Sequence, residues 1–125
     1  MPDKKVLICD DEPYILESVS FIVREEGYHV LTAGDGEQAL RLLSAEHPDL
    51  VLLDIMMPGK SGFDVCREMK ADESMRGTYV ILLTAMGQDR DMEDGYQSGA
   101  DEYMTKPFSP RSLRRRLHEL LDEAT

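Results

Sequence analysis

The chain has 125 residues, of which 42% are apolar, and its formal net charge is −11 at pH 7. This length suits one domain with a hydrophobic core and is short for two. No run approaches the roughly 18 apolar residues of a membrane-spanning helix, and residues 1–5 lack the apolar stretch of a signal peptide. We therefore expect a cytoplasmic protein with no membrane partner. The acidic balance argues against direct nucleic acid binding, because phosphate backbones are bound through Lys and Arg.

Short apolar runs alternate with amphipathic segments along the chain. We predict strands over residues 5–9, 28–33, 50–53, 79–83 and 102–105. Most of these runs are continuously apolar, as in strands that are buried on both faces of a parallel sheet. Between them, the alternation of strands and helices predicts an α/β fold with right-handed crossovers and helices on both faces of the sheet.

Start and stop signals delimit the helices. Residues 13–26 have apolar side chains at helical spacing and are followed by Gly27, a common helix terminator. Asp35 and Ser61 each have a Gln or Asp three residues later, as in a capping box or a close variant of it. Ser109 precedes a proline, which favours the first position of a helix. A further helix, predicted over residues 88–98, has weaker signals.

Polar side chains come directly after four of the apolar runs. Asp10 and Asp11 follow the first run, Asp54 the third, Thr84 the fourth and Lys106 the fifth. The carboxyl ends of neighbouring parallel strands meet at one edge of a sheet, so we expect these side chains to converge. Clustered carboxylates bind Mg²⁺, and an aspartate can act as a nucleophile towards phosphorus. The pattern predicts a Mg²⁺-dependent phosphoryl transfer in which Asp54 is the acceptor.

Simpler interpretations exist for several of these residues. Asp10, Asp11 and Glu12 can cap the first helix and favour its dipole. We expect Cys9 and Cys66 to be reduced core residues. The three histidines are interpreted as ordinary surface or boundary residues. The arginines at positions 111, 114, 115 and 116 indicate a solvated helix face or, less often, a docking surface for an acidic partner.

The combined motifs resemble the receiver domain of two-component response regulators over essentially the whole chain. The residues that carry the resemblance are Asp10-Asp11, Asp54-Ile55-Met56-Met57-Pro58-Gly59, Thr84-Ala85 and Lys106-Pro107-Phe108. The resemblance implies a single receiver domain over residues 1–125. It also implies the flavodoxin-like (βα)5 fold, a doubly wound parallel sheet of five strands in the order 2-1-3-4-5, as in a chemotaxis member of the family.

The resemblance also implies a role for each site residue. Asp54 would take a phosphoryl group from the phosphohistidine of a sensor histidine kinase or a histidine phosphotransfer protein. Thr84 and Lys106 would act with it, and Thr84 and Tyr103 would form the switch. The implied Mg²⁺ ligands are Asp11, Asp54 and the backbone carbonyl of Met56, with Asp10 contacting the metal through water. The peptide bond between Lys106 and Pro107 would be cis.

The family's output surface corresponds to residues 88–98, 102–105 and 109–123, which we call the output face. It would rearrange on phosphorylation and bind a downstream effector or output domain. We expect a signalling switch rather than an enzyme, one that catalyses only its own phosphorylation and slow dephosphorylation. The alternatives are an inactive scaffold and a magnesium-dependent phosphatase. The phosphatase would need a second acid two residues after its nucleophile, where this chain has Met56.

Overall fold

The structure is a computed structural model, and it describes residues 4–85, 97–106 and 109–122. The predicted helix over residues 88–98 lies almost entirely outside the described residues. So does Pro107, and with it the predicted cis peptide bond.

The described residues form an alternating series of strands and helices. The strands are β1 (Lys5–Cys9), β2 (His29–Ala33), β3 (Leu50–Asp54), β4 (Tyr79–Ala85) and β5 (Glu102–Lys106). The helices are α1 (Pro13–Glu25), α2 (Gly36–Glu46), α3 (Gly62–Ala71) and α4 (Pro110–Leu121). All pairings between strands are parallel.

The strands form one five-stranded sheet in the order β2-β1-β3-β4-β5, which confirms the predicted order. Cys9 pairs with Leu53, and Asp54 pairs with Leu83. The strand order reverses at β1, whose neighbours β2 and β3 lie on opposite sides of it. A crevice forms outside the carboxyl ends of the strands at such a reversal, and it is the usual ligand site of an open α/β sheet.

Three strands continue further than the sequence predicted. β3 ends at Asp54, β4 at Ala85 and β5 at Lys106, so the polar site residues lie within the strands instead of following them. The apolar pattern ends one or two residues early because these polar side chains belong to a site, while their backbones still pair with the neighbouring strand. β2 begins one residue later than predicted, and α1 ends one residue earlier.

The predicted helix signals are confirmed by hydrogen bonds at the helix ends. Asp35 caps α2 by accepting from the backbone N–H of Gln38 at 2.8 Å. Ser61 begins α3 with both bonds of a capping box. Ser109 caps α4, whose first residue is a proline. Gly27, just after α1, has φ of 94°, a left-handed conformation that glycine adopts without the steric cost of a side chain.

Alternate residues of each central strand enter two separate hydrophobic clusters, because successive strand side chains point to opposite faces. On one face, α2 and α3 cover Leu7, Cys9, Val51, Leu53, Val80 and Leu82. On the other, α1 and α4 cover Val6, Ile8, Leu50, Leu52, Ile81 and Leu83. The sheet is therefore buried on both sides, as its continuously apolar strands predicted. Cys9 and Cys66 are free thiols within the first cluster, as expected.

Within the described residues, no helix combines the length and apolar character that crossing a bilayer requires.

Candidate functional site

Three carboxylates meet where β1 and β3 end. Oxygens of Asp10, Asp11 and Asp54 lie within 4.8 Å of one another. Asp10 and Asp54 are buried, with exposed fractions of 1% and 5%, whereas Asp11 is exposed. Like charges held this close repel one another unless a cation or a proton is shared between them. The fold thus brings the three predicted carboxylates close enough that a bound cation would relieve their mutual repulsion.

Lys106 supplies one positive charge to this cluster. Its Nζ donates to Asp10 Oδ2 at 3.0 Å and to Asp54 Oδ1 at 3.1 Å. Burial alone would lower the pKa of Lys106, but the hydrogen bond to Asp10 and the charges of Asp54 and Asp10 raise it above its usual value. Lys106 is therefore a fixed cation that bridges two of the three carboxylates.

The carboxyl group of Asp54 is only partly compensated by Lys106. Burial and the neighbouring charge of Asp10 raise the pKa of Asp54, and the attraction of Lys106 offsets this only in part. One ammonium is therefore insufficient to balance the cluster. A further cation at the same place would relieve the remaining repulsion.

Asp10 has a second partner that fits the simpler interpretation of the acidic run. Its Oδ1 accepts from the backbone N–H of Glu12 at 2.9 Å, which closes the turn before α1. Glu12 occupies the capping position itself, without a side-chain hydrogen bond to the helix. Asp10 thus serves both the turn and the carboxylate cluster, one oxygen to each.

Thr84 and Tyr103 lie on neighbouring strands, on the face of the sheet covered by α2 and α3. Leu82 pairs with Tyr103, and Thr84 follows Leu82 by two residues, so strand alternation places both residues on this face. Thr84 is buried, and Tyr103 packs against the hydrophobic cluster of this face. The predicted switch needs Thr84 and Tyr103 on the same face of the sheet, and the structure has them there.

The backbone that carries Asp54 is held by the start of α3. The N–H of Gly62 donates to the carbonyl of Ile55 at 3.0 Å. A Cβ at position 62 would lie 2.4 Å from the carbonyl oxygen of Asp54, well inside contact distance. Only glycine therefore lets α3 begin this close to the end of β3. The sequence analysis did not identify this close approach of α3 to the backbone of Asp54.

Met56 follows in the loop after β3, and its side chain is 75% exposed. The role of its carbonyl as a metal ligand stays a prediction. The three carboxylates are side chains that the sequence identifies directly. The Met56 ligand would be a backbone carbonyl, which every residue has, so no sequence pattern can identify it.

The residues present fit a hard divalent cation. Carboxylate oxygens are the ligands that Mg²⁺ prefers, and Mg²⁺ characteristically uses one or two protein carboxylates while accepting phosphate oxygens. The cluster offers three carboxylates, one of them open to solvent. The cluster is therefore open to solvent on the side of Asp11.

Two charged clusters elsewhere were missed by the sequence analysis. Nε of Arg116 donates to both carboxylate oxygens of Glu102 at 2.8 Å, so Arg116 is not simply part of a solvated helix face. His118, interpreted as an ordinary boundary residue, contacts Glu26 and Asp122 through its two ring nitrogens. The pair of His118 and Glu26 is separated by 92 positions, so no local sequence pattern could have indicated it.

Comparison with known proteins places the chain in a family. Residues 6–118 match the model of the response regulator receiver domain, and the chain belongs to that family. It is therefore a receiver domain of the two-component signalling systems, a class of signalling switch, as the motifs indicated.

Individual relatives agree with this assignment. The chain is 42% identical over 118 residues to the DNA-binding response regulator MtrA of Mycolicibacterium smegmatis, covering 94% of this chain and 50% of that protein. It spans about half the length of the curated relatives it matches. The expectation of no direct nucleic acid contact was drawn from the charge of these 125 residues alone. This relative is named as a DNA-binding regulator, which conflicts with that expectation.

Two solved structures have the same fold. The chemotaxis protein CheY4 of Vibrio cholerae is 30% identical, with a TM-score of 0.90 over 96% of this chain and 100% of that one. The receiver domain of a sensor histidine kinase from Pseudomonas aeruginosa is also 30% identical, with a TM-score of 0.88 over 98% of this chain and 100% of that one. Its structure has a magnesium ion coordinated in the active-site cleft.

Proposed function

We propose that residues 1–125 form a single receiver domain that is phosphorylated on Asp54 in a Mg²⁺-dependent reaction. The donor is the phosphohistidine of a sensor histidine kinase or of a histidine phosphotransfer protein, and the reaction takes place in the cytoplasm. The observation that carries the proposal is the bridge from Lys106 to Asp10 and Asp54, beside a third carboxylate. This arrangement combines a nucleophile, a fixed cation and a set of oxygen ligands.

The residues of the site have separate tasks in this reaction. A carboxylate oxygen of Asp54 attacks phosphorus, and the bond from phosphorus to the donor's ring nitrogen breaks, which leaves an aspartyl phosphate. Lys106 neutralises a phosphoryl oxygen as a point charge, and Thr84 donates its hydroxyl hydrogen to another. Asp11, Asp54 and the carbonyl of Met56 would hold the metal directly, and Asp10 would contact it through water. When bound, Mg²⁺ supplies the charge neutralisation that phosphoryl transfer depends on.

The aspartyl phosphate then acts as a switch. Its new oxygens draw Thr84 and Lys106 inward, and Tyr103 responds because it shares a face of the sheet with Thr84. The output face shifts between two populations and binds a downstream effector or output domain. Turnover is limited to this domain's own phosphorylation and slow dephosphorylation, so the chain is a switch and not an enzyme that acts on other substrates.

The first test is the intact mass of the protein after incubation with Mg²⁺ and acetyl phosphate. We expect one added phosphoryl group on the wild type and on Asp72→Ala, a control at an exposed aspartate after α3. The adduct should be absent from Asp54→Ala and from wild type treated with EDTA. A folded wild-type protein that gains no mass with any phosphodonor would instead support the scaffold alternative.

A further inference from the structure

His118 lies at the end of the sheet opposite the carboxylate cluster, where α4 ends beside the end of α1. Its Nε2 is 2.6 Å from Glu26 Oε1, and its Nδ1 is 2.7 Å from Asp122 Oδ2. The hydroxyl oxygen of Tyr28, just before β2, is 2.9 Å from Nδ1. The imidazole thus joins the last turn of α4 to residues that belong to two other parts of the fold.

Every partner of the ring is an acceptor. Tyr28 donates its own hydrogen to Asp122 Oδ1 at 2.8 Å, which leaves its oxygen to accept from Nδ1. A neutral imidazole carries one N–H, so one of its nitrogens would turn a lone pair towards a carboxylate oxygen. Only the imidazolium, with a hydrogen on each nitrogen, satisfies Glu26 and Asp122 together.

We propose that His118 is a proton-operated latch for α4. Protonated, it ties the end of this helix to Glu26 and Tyr28. Deprotonated, it loses its positive charge and one of the two carboxylate hydrogen bonds, so its attraction to Glu26 weakens and the last turn loosens from α1. The proposal concerns the packing of α4 alone and does not depend on phosphorylation of Asp54.

The charges around the His118 ring are negative on balance. The titratable groups that contact it among the described residues are Glu26 at the end of α1, Tyr28 before β2 and Asp122 after α4. Arg114 of α4 binds the same carboxylate of Glu26, at 3.4 Å, and so partly compensates it. Two carboxylates and one arginine leave an excess of negative charge, which favours the protonated ring.

The pH range in which the latch works follows from these contacts. The hydrogen bonds to Glu26 and Asp122 raise the pKa of His118 above its usual value. The bonds to Tyr28 and His118 lower the pKa of Asp122, so this partner stays ionised. A group whose pKa is raised by folding stabilises the fold fully below its unfolded pKa, and that stabilisation is lost as the pH rises through the folded value. The latch is closed in mildly acidic solution and opens on the alkaline side.

The ring titration itself is the first test. We would follow the His118 ring resonances by NMR between about pH 5 and about pH 9, a range that spans the usual histidine transition. The expected midpoint is higher than that of a histidine in an unstructured peptide, and Glu26→Gln lowers it. A His118 midpoint at or below the peptide value would overturn the proposal, and this measurement on wild type needs no variant to fold.

Hydrogen exchange then separates a latch from an ordinary surface ion pair. Protection of the backbone amides in the last turn of α4, relative to His118→Gln at the same pH, should be greater at about pH 5.5 than at about pH 9. His29→Gln, at an exposed histidine of β2, is the control and should keep the wild-type profile. Equal protection in wild type and His118→Gln at both pH values would contradict the latch.

Discussion

Lys106 Nζ lies 3.1 Å from Asp54 Oδ1, although the two residues end strands that are not neighbours. β4 lies between β3 and β5, so the ion pair spans the full width of an intervening strand. Asp54 pairs with Leu83 and Lys106 pairs with Ala85, so Lys106 lies two residues further along the sheet and its long side chain spans the distance across β4. The pair therefore connects the centre of the sheet to its edge.

Replacing Lys106 should separate the chemistry of the site from its fold. We expect Lys106→Met to slow phosphorylation by acetyl phosphate by about 100- to 1000-fold, the usual loss when one group that stabilises developing negative charge is removed. The rate of mass gain at saturating Mg²⁺ measures this. The matched control is Lys60→Met. Lys60 lies in the loop before α3 and pairs with Glu68 of that helix. If Lys106→Met and the control are phosphorylated at the same rate, Lys106 does not contribute to the reaction.

Removing the charge of Asp54 should stabilise the metal-free protein. Two carboxylates at this spacing repel by a few kcal/mol at an effective dielectric constant of about 20. Asp54→Asn loses that repulsion, while Lys106 keeps its contact with Asp10. We expect the free energy of unfolding without metal to rise by about 1 kcal/mol, with urea denaturation as the measurement.

The same experiment with Mg²⁺ supplies the check on Asp54→Asn. Since the wild type has the stronger repulsion to relieve, added Mg²⁺ should raise its free energy of unfolding more than that of the variant. If Mg²⁺ stabilises both proteins equally, the Asp54 charge is not part of the metal site.

Gly62 should tolerate no side chain. A Cβ there would meet the Asp54 carbonyl oxygen at 2.4 Å and Ile55 Cα at 2.9 Å, both backbone atoms that cannot rotate away. Gly62→Ala should lower the free energy of unfolding by about 1–3 kcal/mol, as overpacking of a closely packed site does. Thermal unfolding of Gly62→Ala and Gly77→Ala would be compared. A Cβ at position 77 has no heavy atom within 4 Å, so that control should be close to neutral. Equal unfolding temperatures for the two variants would mean that α3 can move away from β3 at little cost.

The cluster of Arg116, Glu102 and Tyr79 should contribute to the packing of α4. Glu102 accepts from Arg116 and from the Tyr79 hydroxyl, the latter at 2.8 Å. Partial burial alone would raise the pKa of Glu102, but the hydrogen bonds from Arg116 and Tyr79 and the charge of Arg116 lower it. Arg116→Ala should cost about 1–2 kcal/mol in urea denaturation, which is somewhat less than the roughly 1.5–3 kcal/mol of hydrogen bonds to charged groups because the Arg116 side chain is 34% exposed and partly screened by solvent. The exposed Arg115 provides the control, and an Arg115→Ala variant with the same loss would show that general helix charge is responsible.

The sheet was predictable from sequence because its strands are apolar on both faces. Leu50 to Leu53 are all fully buried, and such a run has few alternatives to a central parallel strand. The site followed from the sheet, since the carboxyl ends of parallel strands must meet. The strand ends were placed one residue early at Asp54 and at Lys106, and two residues early in β4, before Thr84, because a polar side chain there continues a strand whose backbone pairing persists.

Contacts between distant parts of the chain were beyond the sequence analysis. Tyr28 and Asp122 are 94 positions apart, and their hydrogen bond depends on where the ends of α1 and α4 fall after the core has packed. The close approach of Gly62 to Asp54 depends likewise on the angle at which α3 leaves the loop. A glycine in a loop has many explanations, and only the packed structure selects one.

The position of β5 has a consequence for how a signal would travel. It carries Tyr103 and Lys106, and within the described part of the sheet it has a single neighbour, β4. A strand at such a margin can slide or tilt by disturbing one ladder of hydrogen bonds, whereas β1 and β3 are pinned on both sides. In the proposed reaction, the phosphorylated carboxylate would therefore lie on a strand that is paired on both sides, and Tyr103 and Lys106 would lie on an edge strand that precedes α4 by only a few residues.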